Sequence, residues 1–402
     1  MIFLGAGASK GSGFPLANDL RLLISSRDKW EEALVQYENK HGLANRPITS
    51  LGLQYWQNQT RALDLFRNGG FATLDEFCKL AGQFRFQDEI NSLRGLVRAA
   101  LGLFNPEEHF EKSEYYGFIQ SLFDANLVDL RSDITVLTYN YDIYLEFLLF
   151  RALEHRRKVM RKGASIALSE GDLKEHSDFE NILNCVTSGF YSHKNLHWLG
   201  EENSKPQFRI LQLHGSIGIA DNIPSDFQTF FSTNALDRAQ VLFQDPPSSV
   251  PPIMFPWEII SEKGLIPRES STLGNHPSLY SLFSRIWSQA RIEVEAAKKV
   301  SFVGLSMHQF MFDGLRFLFQ DKTGELEVCV ANPENVTGVQ GKSATHWAKQ
   351  PHSHAYNIHE TLKKVAPNIS RKGYVEGYGY SDGDFTLVKD LAGFVKTQMK
   401  PI

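Results

Sequence analysis

The sequence predicts an α/β fold, a doubly wound parallel sheet with large, mainly helical insertions. Three observations lead to it. Short apolar runs recur along the chain and end in polar or glycine-containing turns. Between them lie stretches whose apolar residues fall at three- and four-residue spacing. The first run opens directly into a glycine-rich turn. Alternation of this kind builds parallel sheets covered by helices on both faces, and the glycine-rich first turn makes the pattern Rossmann-like.

Five runs are expected as strands: Met1 to Leu4, Ile134 to Thr138, Phe208 to Leu213, Val300 to Val303 and Leu326 to Ala331. Each is short and apolar or β-branched, which suits a strand buried on both faces. Helical patterns occupy Asn18 to Ile24, Asn91 to Phe104, Tyr115 to Leu127 and Leu282 to Lys299, the last leading straight into Val300. The intervals between strands are too long for bare crossovers. One domain is therefore expected over 1–335, with a helical insertion at about 20–130 and further insertions at about 150–207 and 220–285. Residues 220–276 are rich in Pro, Ser and Asp, and Pro246 to Pro256 reads as extended or loop-like. Residues 336–402 form a C-terminal extension. Its Gly373 to Tyr380 stretch suggests a packed loop or an oligomer interface.

Composition narrows the function classes. Of 402 residues, 42% are hydrophobic and 22% charged, ordinary values for a globular chain with a large core. A formal net charge of −4 argues against a dominant affinity for nucleic acid or an acidic membrane. The basic run Arg156-Arg157-Lys158 with Arg161-Lys162 reads as a solvated helix face. The three cysteines, Cys78, Cys185 and Cys329, are far apart, so no zinc knuckle of the usual spacing and no disulfide scaffold is expected. No apolar run approaches the ~20 residues of a membrane span, and no signal peptide is recognised. A cytoplasmic location is expected.

The residues with chemistry sit at strand ends. Gly5-Ala6-Gly7-Ala8-Ser9, followed by Gly13 and Pro15, forms a glycine turn that lets backbone approach a pyrophosphate at a helix N-terminus. Tight strand-to-helix turns also need glycine for steric reasons alone. The acid expected ~20 residues later in a dehydrogenase-type unit is not evident, which disfavours hydride transfer. Thr138-Tyr139-Asn140-Tyr141-Asp142 ends the second strand; Asp142 could serve a ligand, cap the following helix, or do both. His214-Gly215 ends the third, where an imidazole titrating near ~6.5 would suit a general base. His193 and His197 lack a third ligand and read as surface residues. Gly304-Leu305-Ser306 and Asn332 follow the last two strands, where small polar residues could receive the adenosine half of a dinucleotide.

Taken in order, these motifs resemble the sirtuin-like NADase family of prokaryotic antiphage defence. Gly5 to Ser9 with Gly13-Phe14-Pro15 resembles its GAGxS…GxP loop, Thr138 to Asp142 its T-x-N-x-D motif, and His214-Gly215 its His-Gly. Gly304-Leu305-Ser306 and Asn332 are similar to its later loop and its late Asn. Leu74 to Phe77 and Pro251 to Trp257 resemble further segments of the NADase branch. The resemblance implies an NAD glycohydrolase that releases nicotinamide and ADP-ribose. Asn140 would then position ribose or water, His214 act as base, and Asp142 hold the carboxamide. Gly5, Ala6, Gly7 and Ser9 would bind pyrophosphate, with Pro15 in the same loop, and Gly304, Ser306 and Asn332 would lie near the adenosine ribose. NAD is substrate, and no cofactor or zinc is implied.

The chain departs from the family's protein deacylases in lacking their zinc-binding cysteine pairs and in carrying Tyr139 where they have Gln. The resemblance also implies control by assembly, as a homo-oligomer or with a HerA-type ATPase or short Argonaute. Three other readings stand beside it: a non-catalytic NAD- or ADP-ribose-binding module, a deacylase without zinc, and a nuclease. The nuclease lacks a carboxylate-rich metal motif.

Overall fold

A computed structural model describes the chain except residues 11–12, 44–47, 72–73, 85, 105–112, 124–130, 132, 143, 150–151, 153–207, 217–234, 244–252, 262, 306–310, 332–353, 367–368, 372–373, 376–378, 381–384, 389–394, 396–398 and 400–402. Its centre is a parallel sheet flanked by helices. The five expected runs supply β1 (Ile2–Leu4), β2 (Thr135–Thr138), β3 (Arg209–Gln212), β6 (Lys299–Val303) and β7 (Gly324–Ala331). A short antiparallel hairpin, β4 (Ile260–Ser261) and β5 (Gly264–Leu265), lies apart from them. The sheet runs in the order β7, β6, β1, β2, β3, and every pairing is parallel.

The strands form where the sequence is mostly apolar, with side chains entering a core on each face. Ile2, Leu4, Val136 and Ile210 enter one core. Phe3, Leu137, Leu211, Val300, Phe302, Val328 and Val330 enter the other. The first core belongs to the helical insertion: α1 (Ala17–Ser25), α2 (Arg27–His41), α3 (Thr49–Asn58), α4 (Thr60–Asn68), α5 (Leu74–Gln83), α6 (Gln87–Gly102) and α7 (Glu114–Gln120). The ends of α2 are locally encoded. Ser26 caps its start by accepting from the Lys29 N–H at 3.4 Å, and Gly42 closes it at φ +64. Residues 144–149, just past β2, are helical and buried on this same face.

The second core is covered by α9 (Pro277–Ala296), α10 (Met311–Phe319) and α11 (His354–Val365). Before them, α8 (Ala235–Leu242) packs on the insertion side. This helix and the β4–β5 hairpin lie inside the segment noted for its Pro, Ser and Asp content, on either side of the Pro246 to Pro256 stretch read as loop-like. The expected helix ending at Lys299 stops at Ala296 instead, because Lys299 already pairs with Glu327 in the sheet. The expected helix Tyr115 to Leu127 is described over Glu114–Gln120.

The sheet also runs on past residue 335. β8 (Ile369–Arg371) and β11 (Phe385–Val388) pair in parallel with successive parts of β7, and β9 (Tyr374–Val375) with β10 (Gly379–Tyr380) makes an antiparallel hairpin. Gly373 to Tyr380, read as a packed loop or interface, thus contains one antiparallel strand pair among its described residues. The insertion at about 150–207 lies almost wholly outside the described residues. No helix among them is long and apolar enough to cross a membrane.

Candidate active site

Register places the chemistry at one level. Ala331, Val303, Leu4, Thr138 and Gln212 are successive partners across the sheet. The chain segments that follow β7, β6, β1, β2 and β3 therefore leave its carboxyl edge together. Open parallel sheets bind ligands at this edge, where neighbouring crossovers diverge. β1 and β6 are such neighbours: the chain after β1 enters the first core through α1, and the chain after β6 enters the second through α10.

The glycines at this point are needed for close backbone packing. The Gly5 N–H donates to the Val303 carbonyl at 3.0 Å and the Gly7 N–H to the Gly304 carbonyl at 2.9 Å. A Cβ on Gly5 would stand 2.6 Å from the Gly304 oxygen, and one on Gly7 would stand 2.8 Å from it. Gly304 has φ +61, and its Cβ would fall 2.1 Å from the Ala8 nitrogen. The turn is a 3-10 helix, Ala6–Ala8, and α1 starts only at Ala17. The helix expected from Asn18 thus begins one residue earlier, and this tighter turn lies between the glycines and its start. Pro15, half-buried, lies between Phe14, whose ring packs 5.0 Å from that of Tyr144, and the start of α1.

The turn meets the β2 loop through buried polar groups. The Ser9 hydroxyl approaches the Ala6 carbonyl at 3.3 Å and donates to Asp142 Oδ2 at 3.1 Å. Asp142 Oδ1 accepts from the Tyr144 N–H at 3.0 Å, so the carboxylate caps the helical residues 144–149 while gripping the glycine turn. Burial pushes its carboxyl up from 3.8 to about 6, against the pull of these hydrogen bonds. Asn140 donates from Nδ2 toward Ser9 Oγ at 3.5 Å, and its backbone N–H donates to Thr138 Oγ1 at 3.1 Å. Its Oδ1 is buried without a partner among the described residues.

His214 occupies the equivalent position on the next strand, two residues beyond the Thr138–Gln212 pair. Its ring packs edge-on to Tyr139 at 4.8 Å and tilted to Tyr141 at 5.5 Å. Its carbonyl accepts from the Met254 N–H at 2.9 Å, which ties the loop after β3 to residues 253–258. Burial pushes the imidazole down from 6.5 to about 3, opposed by a hydrogen bond to the Tyr139 backbone. The ring is therefore neutral at physiological pH, and a weaker base than an imidazole titrating near 6.5. Its Nε2 is buried without a partner among the described residues.

Aromatic and charged groups form a wall beyond Tyr141. Phe255 meets Tyr141 edge-on at 6.5 Å and stacks on Trp257 at 6.3 Å. Behind it, Arg94 of α6 and Glu258 form a fully buried ion pair. Arg94 Nε also donates to the Ile253 carbonyl at 2.9 Å, and Glu258 Oε2 accepts from the Phe255 N–H at 2.8 Å. Asp75 of α5 is half-buried as a residue, yet its Oδ1 is sealed without a partner among the described residues. Burial, with Glu258 adding to it, pushes that carboxyl up to about 6.

The structure thus brings together Gly5, Ala6, Gly7, Ser9, Asn140, Asp142, His214 and Gly304. Ser306 and Asn332 lie outside the described residues, as do His193 and His197. Arg94, Glu258, Glu146 and Gln212 were missed in the sequence. The polar Gln212 inside the otherwise apolar run Ile210 to Leu213 was the one local signal for the last pair. No group of three or more His, Cys, Asp or Glu residues suited to a metal ion occurs among the described residues. The fold and site together define an α/β protein with a parallel sheet flanked by helices and a buried polar cluster at its carboxyl edge. No model of a known family matches the chain, and no curated protein matches it.

Proposed function

We propose that the chain is an NAD glycohydrolase that breaks the nicotinamide–ribose bond, with the Rossmann-like sheet edge as its substrate cleft. The observation that carries this reading is a pair of buried acceptors without a partner among the described residues, Asn140 Oδ1 and His214 Nε2, level with each other beside the glycine turn. Two sealed acceptors are costly in a free protein and are offset when a ligand donates to them. A ribose diol or an attacking water supplies such donors.

The chemistry suits these groups. Nicotinamide leaves a pyridinium as a neutral base, so no general acid is needed, and the ribose passes through an oxocarbenium-like state. Asp142, anionic above about pH 6, supplies negative charge close by. Its two committed hydrogen bonds leave lone pairs for the carboxamide role that the resemblance implies. A water bonding to the cationic carbon becomes strongly acidic, so even the weakly basic His214 can take its proton. Gly5, Ala6, Gly7 and Ser9 are assigned to the pyrophosphate side, with Pro15 in the same loop. Gly304, Ser306 and Asn332 are assigned to the adenosine ribose.

The physiological role in this reading is NAD depletion in antiphage defence in the cytoplasm, restrained by a homo-oligomer or by a HerA-type ATPase or short Argonaute. The test is NAD turnover by the purified chain beside Asn140→Ala and His214→Ala, with products separated by chromatography. Nicotinamide release by the wild type, lost in both folded variants, supports the reading. NAD binding without release points to a non-catalytic NAD- or ADP-ribose-binding module, and no binding removes the nucleotide reading altogether.

A further inference from the structure

Glu146 and Gln212 lie behind the site, both almost wholly buried. Glu146 belongs to the helical residues 144–149, and Gln212 ends β3 two residues before His214. Gln212 Nε2 donates to Glu146 Oε1. The two remaining oxygens of this pair, Glu146 Oε2 and Gln212 Oε1, are both buried without a donor among the described residues. An ionised carboxylate can only accept, so it leaves both oxygens without a donor among the described residues. One proton on Oε2 would supply the missing donor, with Gln212 Oε1 the unfilled acceptor on the side chain already bonded to Glu146.

We propose that Glu146 is a positioning residue: held as a neutral acid, it closes a cyclic acid–amide pair with Gln212 that fixes the strand end carrying His214. The ring binds the helix capped by Asp142 to the strand that carries the histidine, so it sets the two halves of the site against each other. The surroundings favour the proton. Burial pushes the Glu146 carboxyl up from 4.5 to about 8, and the Asp142 carboxylate four residues earlier adds to that rise. Among the described residues Tyr115 of α7 also interacts electrostatically with it, and burial, with the Asp142 carboxylate adding to it, holds that phenol neutral. Loss of the proton leaves a buried charge against the Gln212 carbonyl and against Asp142, and the ring opens.

The effect on catalysis rests on the glycohydrolase reading, whereas the ring does not, and the experiment separates them. Infrared spectra of the whole chain, wild type minus Glu146→Gln, are expected to contain the C=O stretch of a protonated carboxyl at neutral pH. In the wild type alone that band should titrate away as pH crosses about 8. A spectrum without it overturns the proposal whatever the activity. In nicotinamide release, the wild-type kcat should fall about tenfold per pH unit above that point with little change in KM. Glu146→Gln, whose amide closes the same ring at every pH, should lose this alkaline limb; a limb retained in the variant overturns the positioning role. Should the chain release no nicotinamide, the imidazole resonance that His214→Ala deletes, followed in nitrogen-labelled histidine, replaces kcat. It should shift over the same pH range in wild type and stay still in Glu146→Gln, and movement in both overturns the proposal.

Discussion

The Ser9 hydroxyl meets Asp142 Oδ2 at 3.1 Å, although 133 positions separate the two residues in the chain. That bond joins the turn after β1 to the loop after β2 and holds the carboxylate that starts the next helix. Ser9→Ala would leave a buried carboxylate oxygen without its donor. The expected loss is about 1–3 kcal/mol of stability, measured by denaturant unfolding. Nicotinamide release should fall as well, because the glycine turn loses its anchor.

Asp142 also gives stability a pH dependence. Its folded pKa of about 6 lies above the ordinary 3.8, so the folded state holds the proton more tightly. Its contribution is fully present below pH 3.8 and is lost as pH rises through about 6. Two pKa units correspond to roughly 3 kcal/mol. The stability of wild type relative to Asp142→Asn should therefore decline across that window and stay level above it. A flat difference in calorimetry would show that the carboxyl titrates normally.

Asn140 is expected to separate activity from stability. Its Oδ1 has no partner among the described residues, so Asn140→Ala removes a sealed acceptor along with one weak bond to Ser9. Unfolding should change by no more than about 1 kcal/mol, while nicotinamide release falls at least ~100-fold. A large fall in both would recast Asn140 as a structural residue.

Two glycines with the same sign of φ should respond differently to alanine. At Gly304 the new Cβ would stand 2.1 Å from the Ala8 nitrogen, and the clash is with backbone that cannot yield cheaply. Gly324→Ala meets nothing within 4 Å and pays only for its φ of +81. Losses of more than about 4 kcal/mol at Gly304 and about 1–2 kcal/mol at Gly324 are expected by thermal unfolding.

Arg94 is the remaining test. Arg94→Leu strands the Glu258 carboxylate in the core, a loss of about 3–5 kcal/mol. It also frees residues 253–258, whose Met254 N–H holds the His214 carbonyl. The double variant Arg94→Leu with Glu258→Gln should recover most of the stability in a double-mutant cycle, since it leaves no buried charge.

Much of the fold was legible because it is locally encoded. Continuous apolar runs mark strands buried on both faces, and all five expected strands lie within a residue or two of those found. Asp142 was legible as a cap because a cap acts over two residues. The helix at 235–242 was not, since its segment carries the proline and serine of a loop. The C-terminal end of α9 was misplaced because sheet pairing, rather than helical periodicity, claims Lys299.

The sequence by itself determined the strands, the glycine turn and the order of the polar motifs at strand ends, all of which follow from spacing along a few residues. Tertiary structure alone decided which of these touch. Parallel register put Asn140 and His214 level, pressed Gly304 against the turn of Gly5 and Gly7, and closed Glu146 on Gln212. It also lowered the His214 imidazole from the ordinary 6.5 to about 3, because desolvation depends on what surrounds a side chain from every direction. Such contacts join residues far apart in the chain, and no local pattern carries the distance between them.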